Sequence, residues 1–168
     1  MLILGIDPGT QILGYGVVKK TASGIAYVEH NQLKISERMD FVPRLGIMSQ
    51  RVESLIEKLR PDVCVIEKIF LGRNVDSAFK LGHIRGVCMH EAIKVGAEVV
   101  EYTPRVVKQG ITGSGNATKE QVQMLLYSQL NIRPKENSFD ASDALSLAFY
   151  HALQVDVIKR FKGTGIEL

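Results

Sequence analysis

Four acidic residues stand where the sequence could bring them together. Asp7 ends the first apolar run of the chain, and Glu67 ends a later one. Asp140 and Asp143 are three positions apart in a stretch of helical character, so they share a helix face. Four carboxylates at one place would raise each other's pKa unless cations offset their charge. Such ligands suit Mg²⁺ or Mn²⁺, and two of these ions about 4 Å apart can activate water against a phosphodiester and stabilise the leaving oxygen.

Three of these acidic residues also have a plainer interpretation. Asp7 could cap the Pro-Gly turn that follows it. Glu67 could be a surface charge at the end of a strand, and Asp140 could simply favour a helix N-terminus through the helix dipole. Asp143 is harder to explain in this way, because its apolar neighbours predict a largely covered helix.

The apolar runs that end in Asp7 and Glu67 are predicted to be buried strands, since both are continuous, short and rich in β-branched residues. Two more strands follow the first one through short turns, which favours antiparallel pairing. Together the patterns predict strands at residues 2–7, 14–19, 25–35, 63–67 and 98–102.

Helices alternate with the later strands. Asn74, Thr103 and Thr118 are predicted N-caps, and Thr118 with Gln121 has capping-box spacing. Ser138 is a further predicted cap. The apolar spacing predicts helices at residues 43–60, 75–93, 104–109, 119–130 and 139–153.

This order of elements predicts an α/β protein with a five-stranded mixed sheet flanked by helices. We expect one domain at residues 1–155 and a polar C-terminal tail at residues 156–168. The glycine-rich segment 110–116 is expected to be a loop, and it lacks the ending of a P-loop. Gly82 and Gly86 lie on one helix face, where they could pack against the sheet of the same chain or contact a second subunit.

The composition is typical of a soluble globular protein of 168 residues, with 45% hydrophobic and 23% charged residues. The net charge of +3 permits a polyanionic partner without requiring one. Cys64 and Cys88 lack metal-ligand spacing and are expected to be buried thiols in a reducing cytoplasm. No secretory signal is apparent, and no apolar run approaches the length that spans a membrane.

Several motifs along the chain carry a family resemblance. They are GIDPGT with the following GYG, IEKIF, NVDSAFKLGHIRG, TPRVVKQGITGSGNATKEQV and DASDALSLA. In order and spacing, over residues 2 to 153, the sequence resembles the RuvC family of Holliday-junction resolvases, in the RNase H-like superfamily. The resemblance implies an RNase H-like fold and a metal-dependent endonuclease that cuts four-way junction DNA during recombination and repair.

The same resemblance implies roles for individual residues. Asp7, Glu67, Asp140 and Asp143 would be catalytic metal ligands for two Mg²⁺ ions, with Mn²⁺ able to substitute. A homodimer would place two such sites on opposite strands of the junction, and a branch-migration complex of RuvA and RuvB would be a partner.

The resemblance also implies DNA contacts. Phe70 matches an aromatic residue that stacks on an unpaired base at the junction. Lys108 and Lys119 match basic positions that neutralise phosphates. Arg73 lies close by and could extend the basic surface, as could the nearby Lys80 and Arg85.

Two other interpretations remain at this point. A nucleotide-binding protein of the sugar kinase and actin superfamily would use Asp7 to hold a Mg²⁺-nucleotide, but that superfamily duplicates the fold in a longer chain and no second copy is apparent. The second interpretation is a non-catalytic module that binds junctions. The four grouped carboxylates argue against it, because without a catalytic role their negative charge would only weaken DNA binding.

Overall fold

The computed structural model describes residues 1–68, 74–133 and 139–163, and it describes side chains up to residue 157. The predicted five-stranded mixed sheet is confirmed, with the strand order β3-β2-β1-β4-β5. The first three strands pair antiparallel, whereas β4 lies parallel to β1 and β5 parallel to β4. The strands are β1 Leu2–Asp7, β2 Ile12–Thr21, β3 Gly24–Lys34, β4 Val63–Glu67 and β5 Glu98–Tyr102.

The helices begin where their caps predict. The side chains of Asn74, Thr103 and Thr118 each accept a hydrogen bond from a backbone N–H in the first turn of the helix that follows, and Thr118 with Gln121 forms a complete capping box. The predicted cap Ser138 lies outside the described residues. The helices are α1 Phe41–Leu59, α2 Val75–Lys94, α3 Pro104–Thr112, α4 Lys119–Gln129 and α5 Phe139–Gly163.

The sheet buries an apolar cluster on each face. One face packs against α1 and α2 through residues such as Leu4, Ile6 and Ile66. The opposite face, which carries Ile3, Val63 and Val65, packs against α3, α4 and α5. Because side chains alternate along a strand, β1 and β4 are buried on both faces, and this explains their continuous apolar runs.

Most bounds lie within two residues of the sequence-based expectation, and three elements are longer than predicted by three residues or more. Helix α3 continues to Thr112, so the first part of the predicted loop 110–116 is helical, and Gly110 packs against the ring of Tyr150. Strand β2 runs from Ile12 to Thr21 because its pairing with β3 extends through a two-residue hairpin turn. Helix α5 is helical to Gly163, beyond the start of the expected tail at Asp156.

Cys64 and Cys88 are free, buried thiols on the α1 and α2 side of the sheet, as predicted. Burial raises the pKa of both thiols, so neither is an activated nucleophile. Among the helices that the structure describes, none is long and apolar enough to cross a membrane.

Candidate active site

The strand register places Asp7 and Glu67 side by side. In the parallel β1–β4 pair Ile6 lies opposite Ile66, so the next residues of both strands leave the same edge of the sheet together. Asp7 has the orientation of Ile3 and Glu67 that of Val65, because residues two or four apart in a strand share a face. Both carboxylates therefore lie on the side of the sheet that α5 covers.

Helix α5 reaches the same place because three glycines let its backbone touch the sheet. A Cβ atom at Gly5 would lie 2.0 Å from the carbonyl oxygen of Ala144, and one at Gly14 would lie 2.0 Å from that of Asp140. A Cβ atom at Gly16 would lie 2.3 Å from the Cα atom of Leu145. This close approach carries the first turns of α5, with Asp140 and Asp143, to the ends of β1 and β4.

Burial and crowding perturb the carboxyl groups on the strands. The pKa of Asp7 is raised to about 8, mainly because the carboxyl group is desolvated. The charge of Glu67 and a hydrogen bond to Glu67 are the next largest causes. Asp143 and Asp140 contribute further to this rise. Desolvation also raises the pKa of Glu67, although its hydrogen bond from Asp7 opposes the change. Without a cation, the Asp7 carboxyl is therefore protonated near neutral pH and donates to Glu67.

The two helix carboxylates have polar partners of different kinds. The Lys119 ammonium group pairs with Oδ2 of Asp143. Partial burial lowers the pKa of Lys119, but this ion pair and the attraction of Asp7 and Asp140 outweigh it and raise the pKa. Asp140 instead accepts a hydrogen bond from the amide Nε2 of Gln32, with 2.9 Å between nitrogen and oxygen.

An open cleft of about 420 Å³ unites these groups. The four predicted carboxylates and both predicted lysines line it, so the structure gathers them as the sequence predicts. Its lining residues are Asp7, Pro8, Glu67, Pro104, Val107, Lys108, Lys119, Val122, Asp140, Asp143, Ser146 and Leu147.

The other basic residues that we predicted near the site behave differently. Lys80 pairs with Asp76 one helical turn away, at 2.5 Å. The Arg85 guanidinium pairs with Glu101, and its Nε donates to the backbone carbonyl of Glu67 at 3.1 Å. Arg85 thus braces the end of β4 and is not part of an open basic surface. Phe70 and Arg73 lie outside the described residues.

Two contributors to the site were missed from the sequence. Gln32 lies in the predicted strand 25–35, where its sequence context indicates no role in the site, and nothing in the sequence indicates that Arg85 contacts Glu67. The glycines did carry a signal, because Gly14 and Gly16 alternate in one strand and thus clear one face of the sheet.

The donor set fits a hard divalent cation. All four groups offer carboxylate oxygens, and the half-buried carboxylates of Asp7 and Glu67 form no ion pair with a described residue. In the described part of the chain, no three acidic, cysteine or histidine side chains already converge as ligands. Asp143 is paired with Lys119 instead, so metal binding requires this ion pair to open.

The strand order and the grouped carboxylates define an RNase H-like fold with an acidic cleft, which confirms the predicted fold class. The family model "Crossover junction endodeoxyribonuclease RuvC" matches residues 3–151. The chain therefore belongs to the RuvC family of crossover junction endodeoxyribonucleases, as the motifs predicted.

Individual relatives agree with this assignment. A crossover junction endodeoxyribonuclease RuvC from Bdellovibrio bacteriovorus is 46% identical over 155 residues, which are 92% of each chain. Thermus thermophilus RuvC, solved in complex with a Holliday junction substrate, is 31% identical and has a TM-score of 0.85 over 94% of this chain and 96% of its own. The yeast mitochondrial Holliday junction resolvase Ydc2, at 15% identity and a TM-score of 0.71 over 98% of this chain and 84% of its own, shares the fold.

Proposed function

We propose that this protein resolves four-way DNA junctions by metal-dependent hydrolysis of two strands, with Asp7, Glu67, Asp140 and Asp143 as the catalytic metal ligands. The observation that carries the proposal is the convergence of these four carboxylates in one open cleft, from two strand ends and one helix. Membership of the RuvC family and the likeness to a junction-bound RuvC structure support it. Residues 1–155 would form the catalytic domain.

Asp7 and Glu67 would have a different role from the two helix carboxylates in binding the cations. Asp7 and Glu67 are fixed by their strands, so they would set the position of the cations, and Asp7 gives up its shared proton when it binds them. Two Mg²⁺ ions, when bound, would lower the pKa of the attacking water and stabilise the leaving oxygen, and Mn²⁺ would substitute. Water attacks phosphorus in line, the bond to the 3′ oxygen breaks, and the products carry 5′-phosphate and 3′-hydroxyl ends.

Lys108 and Lys119 would neutralise the phosphate that enters the cleft. Both line it beside the carboxylates, and Lys119 is held at the first position of α4 by the capping box. If Asp143 held a cation, the Lys119 ammonium group would be free to contact the DNA backbone. The DNA contacts of Phe70 and Arg73 remain predictions from the family resemblance. Phe70 would stack on an unpaired base at the junction.

A second copy of the chain would dock on the outer face of α2. Apolar or small residues recur there at three-to-four spacing, and Val75, Phe79 and Ile93 are 58%, 65% and 66% exposed. A Cβ atom at Gly82 or Gly86 would meet nothing within 4 Å, so these glycines do not pack against their own sheet. A helix of the partner could approach closely there, and the homodimer would hold two clefts on one junction. A RuvA and RuvB branch-migration complex remains a proposed partner by family resemblance.

The first experiment is cleavage of an end-labelled mobile junction in Mg²⁺, comparing the wild type with Glu67→Gln and Glu57→Gln. Glu57 is an exposed glutamate on α1, so it controls for the loss of one negative charge. We expect paired symmetric nicks from the wild type and from Glu57→Gln. We expect Glu67→Gln to bind the junction in a gel-shift assay without cutting it, because a metal ligand is lost.

Other outcomes would count against the proposal. Nicking by Glu67→Gln at the wild-type rate would overturn the carboxylate assignment. Tight junction binding by the wild type without nicks, in Mg²⁺ and in Mn²⁺, would favour a non-catalytic binding module.

A further inference from the structure

Gln32 lies in the same row of the sheet as Asp7. In the β1–β2 pair Asp7 lies opposite Gly14, and in the β2–β3 pair Gly14 lies opposite Gln32. Residues directly opposite one another in neighbouring strands share a face. The Asp7 and Gln32 side chains therefore stand on the α5 side of the sheet, on either flank of a glycine.

The gap at Gly14 is filled by the backbone of α5. The carbonyl oxygen of Asp140 sits where a Cβ atom of residue 14 would be, so the Asp140 side chain starts between Asp7 and Gln32. Gln32 then donates its amide N–H to Oδ2 of Asp140 at 2.9 Å. Both residues are only partly exposed, so water competes less for this contact than it would at an open surface.

The chemistry of this contact differs from that of Lys119 with Asp143. An ammonium group neutralises its carboxylate and must leave before a cation can be bound at full charge. An amide orients one oxygen and leaves the negative charge in place. No described residue donates a hydrogen bond to the other oxygen of Asp140, so Oδ1 stays open to a cation.

We propose that Gln32 is a positioning residue that orients the Asp140 carboxylate for divalent metal binding. This inference rests on the proposed function, because it requires Asp140 to be a metal ligand. Gln32 stands on the edge strand β3, so the outermost strand of the sheet would help to set the geometry of the metal site.

The inference is tested by titrating Mn²⁺ into the full chain and following the loss of the free-ion signal by electron paramagnetic resonance. Four proteins are compared: the wild type, Asp140→Asn, Gln32→Leu and Gln123→Leu. Gln123 is the matched control, because its amide Nε2 donates to Ser142 Oγ at 3.0 Å and so also tethers the start of α5, but to a hydroxyl group. Thermal unfolding checks that each variant is folded.

We expect Gln32→Leu to bind Mn²⁺ about 10-fold more weakly than the wild type, which is the lower range for losing a residue that orients a metal ligand. Gln123→Leu should bind as the wild type does. In junction cleavage, Gln32→Leu should need about 10-fold more Mn²⁺ for half-maximal rate and should recover the wild-type rate at saturating metal.

Three results would overturn the inference. Wild-type Mn²⁺ affinity in Gln32→Leu would show that the amide does not orient a ligand. Equal weakening in Gln32→Leu and Gln123→Leu would show that both residues only fasten α5. If the wild type and Asp140→Asn bind Mn²⁺ equally, Asp140 is not a ligand, and the ligand assignment in the proposed function fails together with this inference.

Discussion

Replacing Gly14 by alanine should disable the site by moving α5. The new Cβ atom would lie 2.0 Å from the carbonyl oxygen of Asp140 and 2.4 Å from its carbonyl carbon. Neither atom belongs to a flexible side chain, so the first turn of α5 must retreat by about 1 Å or more. Overpacking of this kind costs about 1–3 kcal/mol of folding free energy.

The catalytic cost should be larger than the cost in stability. A displacement of about 1 Å in a catalytic group can lower a rate about 100-fold, and here it would carry Asp140 away from Asp7 and Gln32. We therefore expect Gly14→Ala to bind junctions but to cut them about 100-fold more slowly, even at saturating Mg²⁺.

Gly46→Ala is the matched control for this prediction. Gly46 is an exposed residue inside α1, and a Cβ atom there would meet nothing within 4 Å. Gly46→Ala should stabilise the protein by about 0.5–1 kcal/mol, because alanine favours the helix more than glycine does. It should leave the cleavage rate unchanged. The measurements are urea unfolding and single-turnover cleavage. If Gly14→Ala cuts and unfolds like the wild type, the docking of α5 on the glycines does not set the geometry of the site.

Four further predictions concern charge and assembly. Because the pKa of Asp7 is raised to about 8, Mg²⁺ binding at pH 7 should release close to one proton, measured by calorimetry in two buffers of different ionisation enthalpy. In the metal-free protein, Asp7 should contribute its full stabilisation below its unfolded pKa and lose it as the pH rises through about 8. Urea midpoints that do not fall over this range would contradict the raised pKa of Asp7. Lys119→Glu should flatten the salt dependence of junction binding by about one phosphate contact, whereas an unaltered slope would leave Lys119 without a role at the backbone. Gly86→Leu should shift the protein from dimer to monomer in light scattering, and a dimer that persists would place the interface away from the outer face of α2.

The strand ends could be predicted from sequence because their pattern is local. Asp7 and Glu67 each follow a run that is apolar on both faces, and such a run is buried wherever it lies in the sheet. The starts of α2, α3 and α4 were equally readable, since a cap is a contact within four residues.

The contacts that complete the site could not be predicted in this way. Gln32 can reach Asp140 because the start of α5 packs over Gly14, between Gln32 and Asp7. This arrangement depends on the pairing of three strands. The sequence around Arg85 is typical of an exposed helix charge, yet the packing of α2 lets its Nε donate a hydrogen bond to the backbone carbonyl of Glu67. Both contacts join residues that are far apart in the chain or in different elements, so neither leaves a periodic signal.

The docking of α5 on bare backbone has a consequence for the order of synthesis. Asp7 and Glu67 leave the ribosome early, whereas Asp140 and Asp143 arrive only with the helix that begins at Phe139. Until then, the glycine-lined face of β1 and β2 is uncovered, and two of the four carboxylates are missing. The proposed metal site is therefore incomplete until α5 has packed on the sheet and completed the core, so we expect a nascent chain that has folded only part of its sheet not to cut DNA.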